Sequence, residues 1–359
     1  MKKLLYIGLL VSVSFGCDQT FIDEIQAVDP GPDMAAPVVN VSFPLQGTLI
    51  RVVEDVTPIN ISFEATDDIE LKDIVVRLDG NEIARFDEFM DFRRFLTTYT
   101  YNNLTNGSHT LEVSATDMAG KSTSKSVLFE KAEPYRPVYD GEIFYLPFDG
   151  DFTELMSIKS PTVSGSPSFV DGVSGKAYAG ANNAYLTFPT AGLLGSQFSA
   201  VFWYKVNGTP DRAGILTIGP PDPLRPTSMN NRTSGFRLFR ENAGGKQRFK
   251  LNVGNGSADN WFDGGAAADI DPAAGTWAHI AFTISNSQCT VYINGQVVSQ
   301  GNFPGVSWTG CDILTVASGT PRFVEWGHLS TQSLMDEMRL FNKALSQSEI
   351  QAIIDAEKP

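Results

Sequence analysis

The chain has 359 residues, 42% of them apolar, which exceeds what one core usually organises and excludes a disordered chain, so two domains and a tail are expected. Its 20 prolines and 32 glycines lie between short β-prone runs and favour many turns over long helices. With 41 acidic against 27 basic side chains the formal charge is -14, a surface that repels nucleic acid and anionic lipid and leaves a neutral ligand or a cation as the natural partner.

At the N-terminus, Lys2 and Lys3 precede an apolar run from Leu4 to Phe15. The run is too short to cross a bilayer of about 30 Å as a stable helix and reads as a secretory signal. Ser14-Phe15-Gly16-Cys17 resembles a bacterial lipobox, in which the cysteine is acylated after cleavage in front of it. The resemblance makes residues 1–17 a lipoprotein signal peptide with Cys17 as the lipid-bearing residue, an ordinary cleaved signal being the alternative. It implies a protein held to the bacterial cell envelope through its acyl chains alone, at the outer membrane, with no transmembrane helix. Residues 18–36 are acidic and Pro-rich (Asp18, Asp23, Glu24, Asp29, Asp33, Pro30, Pro32) and read as an extended tether. The acidic cluster loosely resembles the surface-export signal of Bacteroidetes lipoproteins, which implies surface exposure.

Residues 37–132 carry six short candidate strands, Val38 to Phe43, Ile59 to Ala65, Ile74 to Leu78, Thr97 to Tyr101, His109 to Ala115 and Ser122 to Phe129, separated by turn signals such as Asp79-Gly80-Asn81 and Asn106-Gly107. That spacing predicts an Ig-like sandwich. Ala65-Thr66-Asp67-Asp68 and Ala115-Thr116-Asp117-Met118-Ala119-Gly120 resemble bacterial Ig-like and cadherin-like repeats, where such aspartates either hold calcium or cap turns. Glu133-Pro134-Tyr135-Arg136-Pro137 then marks residues 133–140 as a stiff linker.

Residues 141–359 form the second domain. Its opening strand, Ile143 to Phe148, ends in Asp149-Gly150-Asp151, and the apolar runs Phe198 to Val206, Trp277 to Thr283 and Thr290 to Val298 follow, the last broken by an Asn294-Gly295 hairpin signal. Ser346 and Glu349 predict a capping box for a closing helix whose apolar face is Leu345, Ile350, Ile353 and Ile354. The opening strand with Phe-Asp-Gly, the turn Gly172-Val173-Ser174-Gly175-Lys176-Ala177, the strand Phe198 to Trp203 and the segment Asp336-Glu337-Met338-Arg339-Leu340-Phe341-Asn342-Lys343-Ala344-Leu345-Ser346 together resemble the laminin-G-like, concanavalin-A-like family. The expected fold class is therefore all-β: an Ig-like sandwich followed by a jelly-roll sandwich with a short C-terminal helix.

Residues for catalysis are missing from the sequence pattern. Glycosidases on this architecture need two carboxylates on one strand, as Glu-x-Asp-x-x-Glu or Glu-x-Asp-x-Glu, and neither occurs. None of the three histidines, His109, His279 and His328, falls in a nucleophile or zinc motif. A non-enzyme is expected.

Binding is argued from aromatics. Trp203 and Trp277 lie in core strands, whereas Trp261, Trp308 and Trp326 fall in Gly-, Ser- and Asn-rich segments that read as loops, where they either stack on sugar rings or fold back as lids. Asn260, Asp263 and Arg232 are the polar groups expected beside them. Asp336 shares a predicted strand face with Met338 and Leu340, so its carboxylate is expected to be buried and either hydrogen-bonded or metal-bound. The family resemblance implies calcium (Ca2+), held with Asp149 and Asp151 at the end of the opening strand. Cys289 and Cys311 border predicted strands, and whether they are bridged stays open.

The chain also resembles accessory glycan-binding lipoproteins of Bacteroidetes polysaccharide-utilisation systems. That resemblance implies a non-catalytic surface lipoprotein that binds a polysaccharide or other glycan through its laminin-G-like domain, beside a transporter or another envelope protein, with the Ig-like domain as spacer. An adhesion or scaffold module contacting a protein or the cell wall is the alternative.

Overall fold

A computed structural model describes residues 31–358, which form two compact units. The signal peptide, Cys17 and the greater part of the tether lie outside the described residues. The Ig-like sandwich has the strands β1 (Val38–Phe43), β2 (Leu49–Ile50), β3 (Thr57–Thr66), β4 (Leu71–Leu78), β5 (Asn81–Phe86), β6 (Arg94–Leu104), β7 (Gly107–Asp117) and β8 (Ser122–Lys131). They build two sheets, ordered β1-β3-β6 and β2-β8-β7-β4-β5. Strict alternation drives this: Ile59, Ile61, Phe63 and Ala65 of β3, and Leu111, Val113 and Ala115 of β7, are buried while their neighbours are not.

Strand β5 was not among the expected elements. It is the return arm of a tight hairpin at Asp79-Gly80, whose positive φ values of 53° and 81° suit a turn that matches strand twist. The Ig-domain aspartates cap turns: Asp67 Oδ2 accepts from the amides of Ile69 (2.9 Å) and Glu70 (2.7 Å), and Asp117 Oδ1 accepts from that of Lys121 (2.8 Å).

The second unit runs through β9 (Glu142–Leu146), β10 (Thr162–Ser164), β11 (Ser168–Asp171), β12 (Lys176–Ala179), β13 (Tyr185–Pro189), β14 (Phe198–Lys205), β15 (Arg212–Ile218), β16 (Phe236–Ala243), β17 (Lys246–Gly254), β18 (Asp259–Asp263), β19 (Asp269–Ile270), β20 (Trp277–Ile284), β21 (Gln288–Ile293), β22 (Gln296–Asn302), β23 (Ile313–Val316) and β24 (Leu334–Phe341), and ends in helix α1 (Gln347–Glu357). One sheet has the order β10-β13-β23-β15-β16-β17-β18, with β19 beside β17; the other has β11-β12-β24-β14-β20-β21-β22, with β9 beside β24. Both sheets contribute to a single aromatic-rich core, including Phe198, Phe202, Phe236, Phe249 and Phe282.

Each sheet has a second, outward face, and the two faces are treated differently. That of the β14-containing sheet is covered by α1, whose Ile350, Ile353 and Ile354, with Leu345 just before the N-cap, pack on Val201, Trp203, Ala281, Tyr292 and Phe341. The helix begins where the sequence expects, at a Ser346–Glu349 capping box. The outward face of the β16-containing sheet is crossed by two loops, residues 219–235 and 317–333, and remains partly open.

Candidate functional site

The open face follows from strand alternation. Phe236 and Leu238 of β16, Phe249, Leu251 and Val253 of β17 and Phe262 of β18 point into the core, so Phe239, Lys250 and Asp263, which are register neighbours across the three strands, share the opposite face. Arg237, Asn252 and Trp261 form the adjacent cross-strand row. Lys250 Nζ donates to Glu241 Oε2 (3.0 Å) and to Asp263 Oδ2 (3.1 Å), so one ammonium lies between two carboxylates.

The loops supply the rest. Arg237 is fully buried and donates to the carbonyls of Ser234 (2.8 Å) and Asn231, which pins the hairpin carrying Arg232 to the sheet. Burial pulls the Arg237 guanidinium down to about 10. Arg225 pairs with Asp222 (2.9 Å) in its own loop and with Glu325 (3.2 Å) in the other, tying the two loops together beside Trp326. The Arg232 guanidinium consequently lies 5.5 Å from the Trp261 ring centre and 5.0 Å from that of Trp326, with its Nε held by Asp259 Oδ2 (3.1 Å).

Trp261 and Trp326 are neighbours, their ring centres 5.8 Å apart and their planes inclined by 41°. They keep 43% and 38% of their surface exposed, a large share for rings this size. Beneath them Phe239 meets Trp261 edge-on (5.8 Å), and Phe323 stacks flat on His328 (4.6 Å, 10°). His328 is buried and its Nε2 donates to Glu241 Oε1 (3.1 Å). That bond, followed by the Lys250 ammonium, holds the Glu241 carboxyl down at about 2. Phe239, Glu241, Lys250, Trp261, Asp263 and Trp326 together line a depression of about 240 Å3.

The expected binding residues thus separate. Trp261, Trp326, Arg232 and Asp263 are brought together. Trp261 is on strand β18 and not on a loop, its exposure arising because β18 is the sheet's edge. Asn260, next along that strand, projects to the side opposite Trp261 and Asp263. Trp308 is placed elsewhere: its ring packs on Phe198 (5.6 Å) and Phe236 (6.2 Å) at the core margin, and its Nε1 donates to the Gly195 carbonyl (2.7 Å). Phe239, Glu241, Lys250 and Phe323 were not anticipated. The paired patterns Phe236-x-Leu238 and Phe249-x-Leu251-x-Val253 around Gly244-Gly245 carry the hairpin that would have found the first three.

The expected face of Asp336 requires correction. Asp336 is buried, but a bulge at Glu337 (φ 50°) moves it off the face of Met338 and Leu340 and opposite Trp203. Its Oδ2 accepts from the amides of Val173 (2.6 Å) and Ser174 (3.1 Å), and its Oδ1 from that of Glu337 (3.0 Å). Burial pushes its carboxyl up to about 7. Asp149 Oδ1 accepts from the Lys176 amide (2.7 Å) and Asp151 Oδ1 from that of Thr153 (2.7 Å). A Cβ on Gly172 would collide with Asp336, and one on Gly175 with Asp149, so the turn between them needs glycine at both positions. All three carboxylates thus cap turns by accepting backbone amides. Among the described residues no three His, Cys, Asp or Glu side chains converge as a metal cluster.

Cys289 and Cys311 are free, buried thiols. Cys289 is on β21 of one sheet, while Cys311 precedes β23 of the other. Burial raises the first to about 12 and the second to about 11.

Comparison with known families agrees with this architecture. Residues 180–351 match the concanavalin A-like lectin/glucanases superfamily and residues 37–113 match the bacterial Ig domain family. The two matched stretches fall on the jelly-roll sandwich and on the Ig-like sandwich, respectively. Domain 4 of AbnA, an extracellular arabinanase from Geobacillus stearothermophilus solved with arabinotriose, is similar at 21% identity and a TM-score of 0.45, over 60% of this chain and 99% of that one. The binding domain of botulinum neurotoxin DC in complex with SialylT is similar at 13% identity and 0.43, over 61% of this chain and 52% of that one. The binding domain of Paraclostridial Mosquitocidal Protein 1 gives 17% identity and 0.42, over 60% and 52%. No curated protein matches the sequence.

Proposed function

We propose that this protein is a non-catalytic, glycan-binding surface protein whose laminin-G-like domain holds a polysaccharide on the outward face of the β16-containing sheet. The observation that carries this reading is the exposed Trp261–Trp326 pair with Arg232 across it and the Glu241–Lys250–Asp263 triad at its edge. Aromatic faces stack on the C–H faces of sugar rings, and fixed donors and acceptors beside them take hydroxyls. A hydrolytic role is disfavoured by the same geometry. Hydrolysis of a glycosidic bond needs one carboxyl kept protonated, yet Glu241 is held near 2 and both carboxylates are tied to Lys250.

In this reading an acylated Cys17 anchors the protein in the bacterial envelope, at the outer membrane, and the Ig-like domain is a spacer. Cys17→Ala should release the protein from the membrane fraction; retention of the variant there would remove the anchor.

The deciding experiment is affinity electrophoresis of the full chain in gels containing a panel of polysaccharides. Retardation by at least one is expected, lost in Trp261→Ala and in Trp326→Ala while the melting temperature moves little, because truncating an exposed ring opens no core cavity. If no polysaccharide retards the chain, the adhesion or scaffold reading replaces this one.

A further inference from the structure

Three features of the open face, taken together, say more than that a sugar stacks there. The first is the tilt. A flat, ribbon-like glycan presents successive ring faces parallel to one another, and a surface matched to it would hold its aromatic planes coplanar. Here adjacent tryptophan planes, 5.8 Å apart, turn by 41°, which matches a chain whose ring plane rotates from one residue to the next.

The second feature is continuity. The central depression shares Trp326 with a larger one of about 440 Å3 bounded by Pro210, Arg212 and Asn242. On the other side Arg232, which reaches over both tryptophans, lines a depression of about 360 Å3 with Asn230 and Asn231. Depressions thus adjoin the rings on both sides, as the interior of a chain needs and a chain end does not.

The third is charge. Along this track Arg212 and Lys250 face Glu241, Lys250 also faces Asp263, Arg232 faces Asp259, and Arg225 faces Asp222 and Glu325. A polyanion would have to displace these carboxylates to reach the cations. Neutral hydroxyls need not displace a carboxylate: Arg232 holds Asp259 through its Nε, and among the described residues its Nη groups make no hydrogen bond and can donate to a ligand.

We propose that the face binds the interior of a neutral glycan chain with a turning, helical backbone, in preference to flat ribbons, acidic chains or chain ends. This deepens the glycan-binding reading and rests on it. The test compares the full chain against amylose and a β-1,3-glucan, against hydroxyethylcellulose and β-1,4-mannan, and against polygalacturonate, followed by calorimetric titration with oligosaccharides of increasing length and with end-blocked derivatives. A turning neutral chain should bind at least about tenfold more tightly than either flat chain. Affinity should climb with length until the three depressions are spanned, and blocking either end should leave it unchanged. Equal or better binding of the flat chains or of polygalacturonate, or affinity already complete with a monosaccharide or abolished by end-blocking, would overturn this inference and leave glycan binding standing. Failure to bind anything in the panel would overturn both.

Discussion

The two outward faces of the jelly roll are built from the same parts and put to opposite uses. Under α1 lies a buried arginine, Arg339, ion-paired with Glu142 (2.6 Å), Glu337 (2.9 Å) and Glu357 (2.9 Å), with the Tyr145 ring 3.6 Å away and the Tyr135 hydroxyl accepting from it (2.7 Å). Trp203 donates to the same Glu357 (3.0 Å). Across the sandwich, Arg232, Lys250, Trp261 and Trp326 repeat the mixture of cations, carboxylates and indoles, but no helix covers them. Sealed from water, the first set is committed to holding β9, β24 and α1 together. Left open, the second can exchange its hydration for a ligand.

The contrast is sharpest for the cations. Arg339→Ala strands three buried carboxylates and should lower the unfolding free energy by about 3–5 kcal/mol, measured by urea denaturation. Lys250→Met on the open face removes two partly solvated ion pairs and should cost no more than about 1 kcal/mol. Equal losses would show that the open face is as structural as the closed one. The indoles provide the next comparison. Trp308→Ala should cost about 3 kcal/mol by opening a gap beside Phe198 and Phe236, whereas Trp261→Ala should cost about 1 kcal/mol or less. A reversal of that order would make Trp261 the packing residue.

Acidity separates the faces more gently. Three carboxylates share one guanidinium under α1, and burial pushes Glu357 up to about 7, as it does Asp336 beside the 172–175 turn. In the unfolded chain both titrate near about 4, so between there and about 7 the folded state binds the extra protons and stability falls as pH rises. Glu241 and Glu349, both held near 2, contribute stability that is present above about pH 4 and lost as pH falls from there to about 2. The melting temperature should drop by several degrees between about pH 5 and pH 8, and Glu357→Gln should flatten the drop. An unchanged slope in that variant would clear Glu357 of responsibility. The smallest effect concerns the thiols: Cys289 and Cys311 should resist a thiol-titrating reagent until the chain unfolds, and reductant should leave the melting temperature unchanged.

Much of the architecture was legible because its signals are local. Phe198 to Val206 and Trp277 to Thr283 are apolar on both faces and fall on β14 and β20, and the Asn294-Gly295 turn joins β21 to β22 with φ values of 50° and 75°. The capping box stands where Ser346 and Glu349 put it. What escaped depends on relations that spacing does not carry. A single bulge at Glu337 reverses the face of Asp336, and sequence alternation cannot register an inserted residue. Trp261 reads as a loop residue because its neighbours Asn255, Gly256 and Ser257 are turn formers, yet it lies on a strand whose exposure comes from being at the edge. Trp326 reaches it because two loops a hundred residues apart are joined, by Arg225 to Glu325 and by the Val324 amide to the Met229 carbonyl, contacts no local pattern announces.

One pairing has a bearing on how the protein is made. Strand β9, which opens the jelly roll, is joined to β24, nearly two hundred residues later, through the register Leu146 to Met338, and the Glu142–Arg339 bond closes the same seam. A chain emerging from the ribosome N-terminus first must therefore carry β9 without its partner until almost the whole domain has been made. Assembly of this sheet waits on the final strand, a pairing of such high sequence separation that closure is slow.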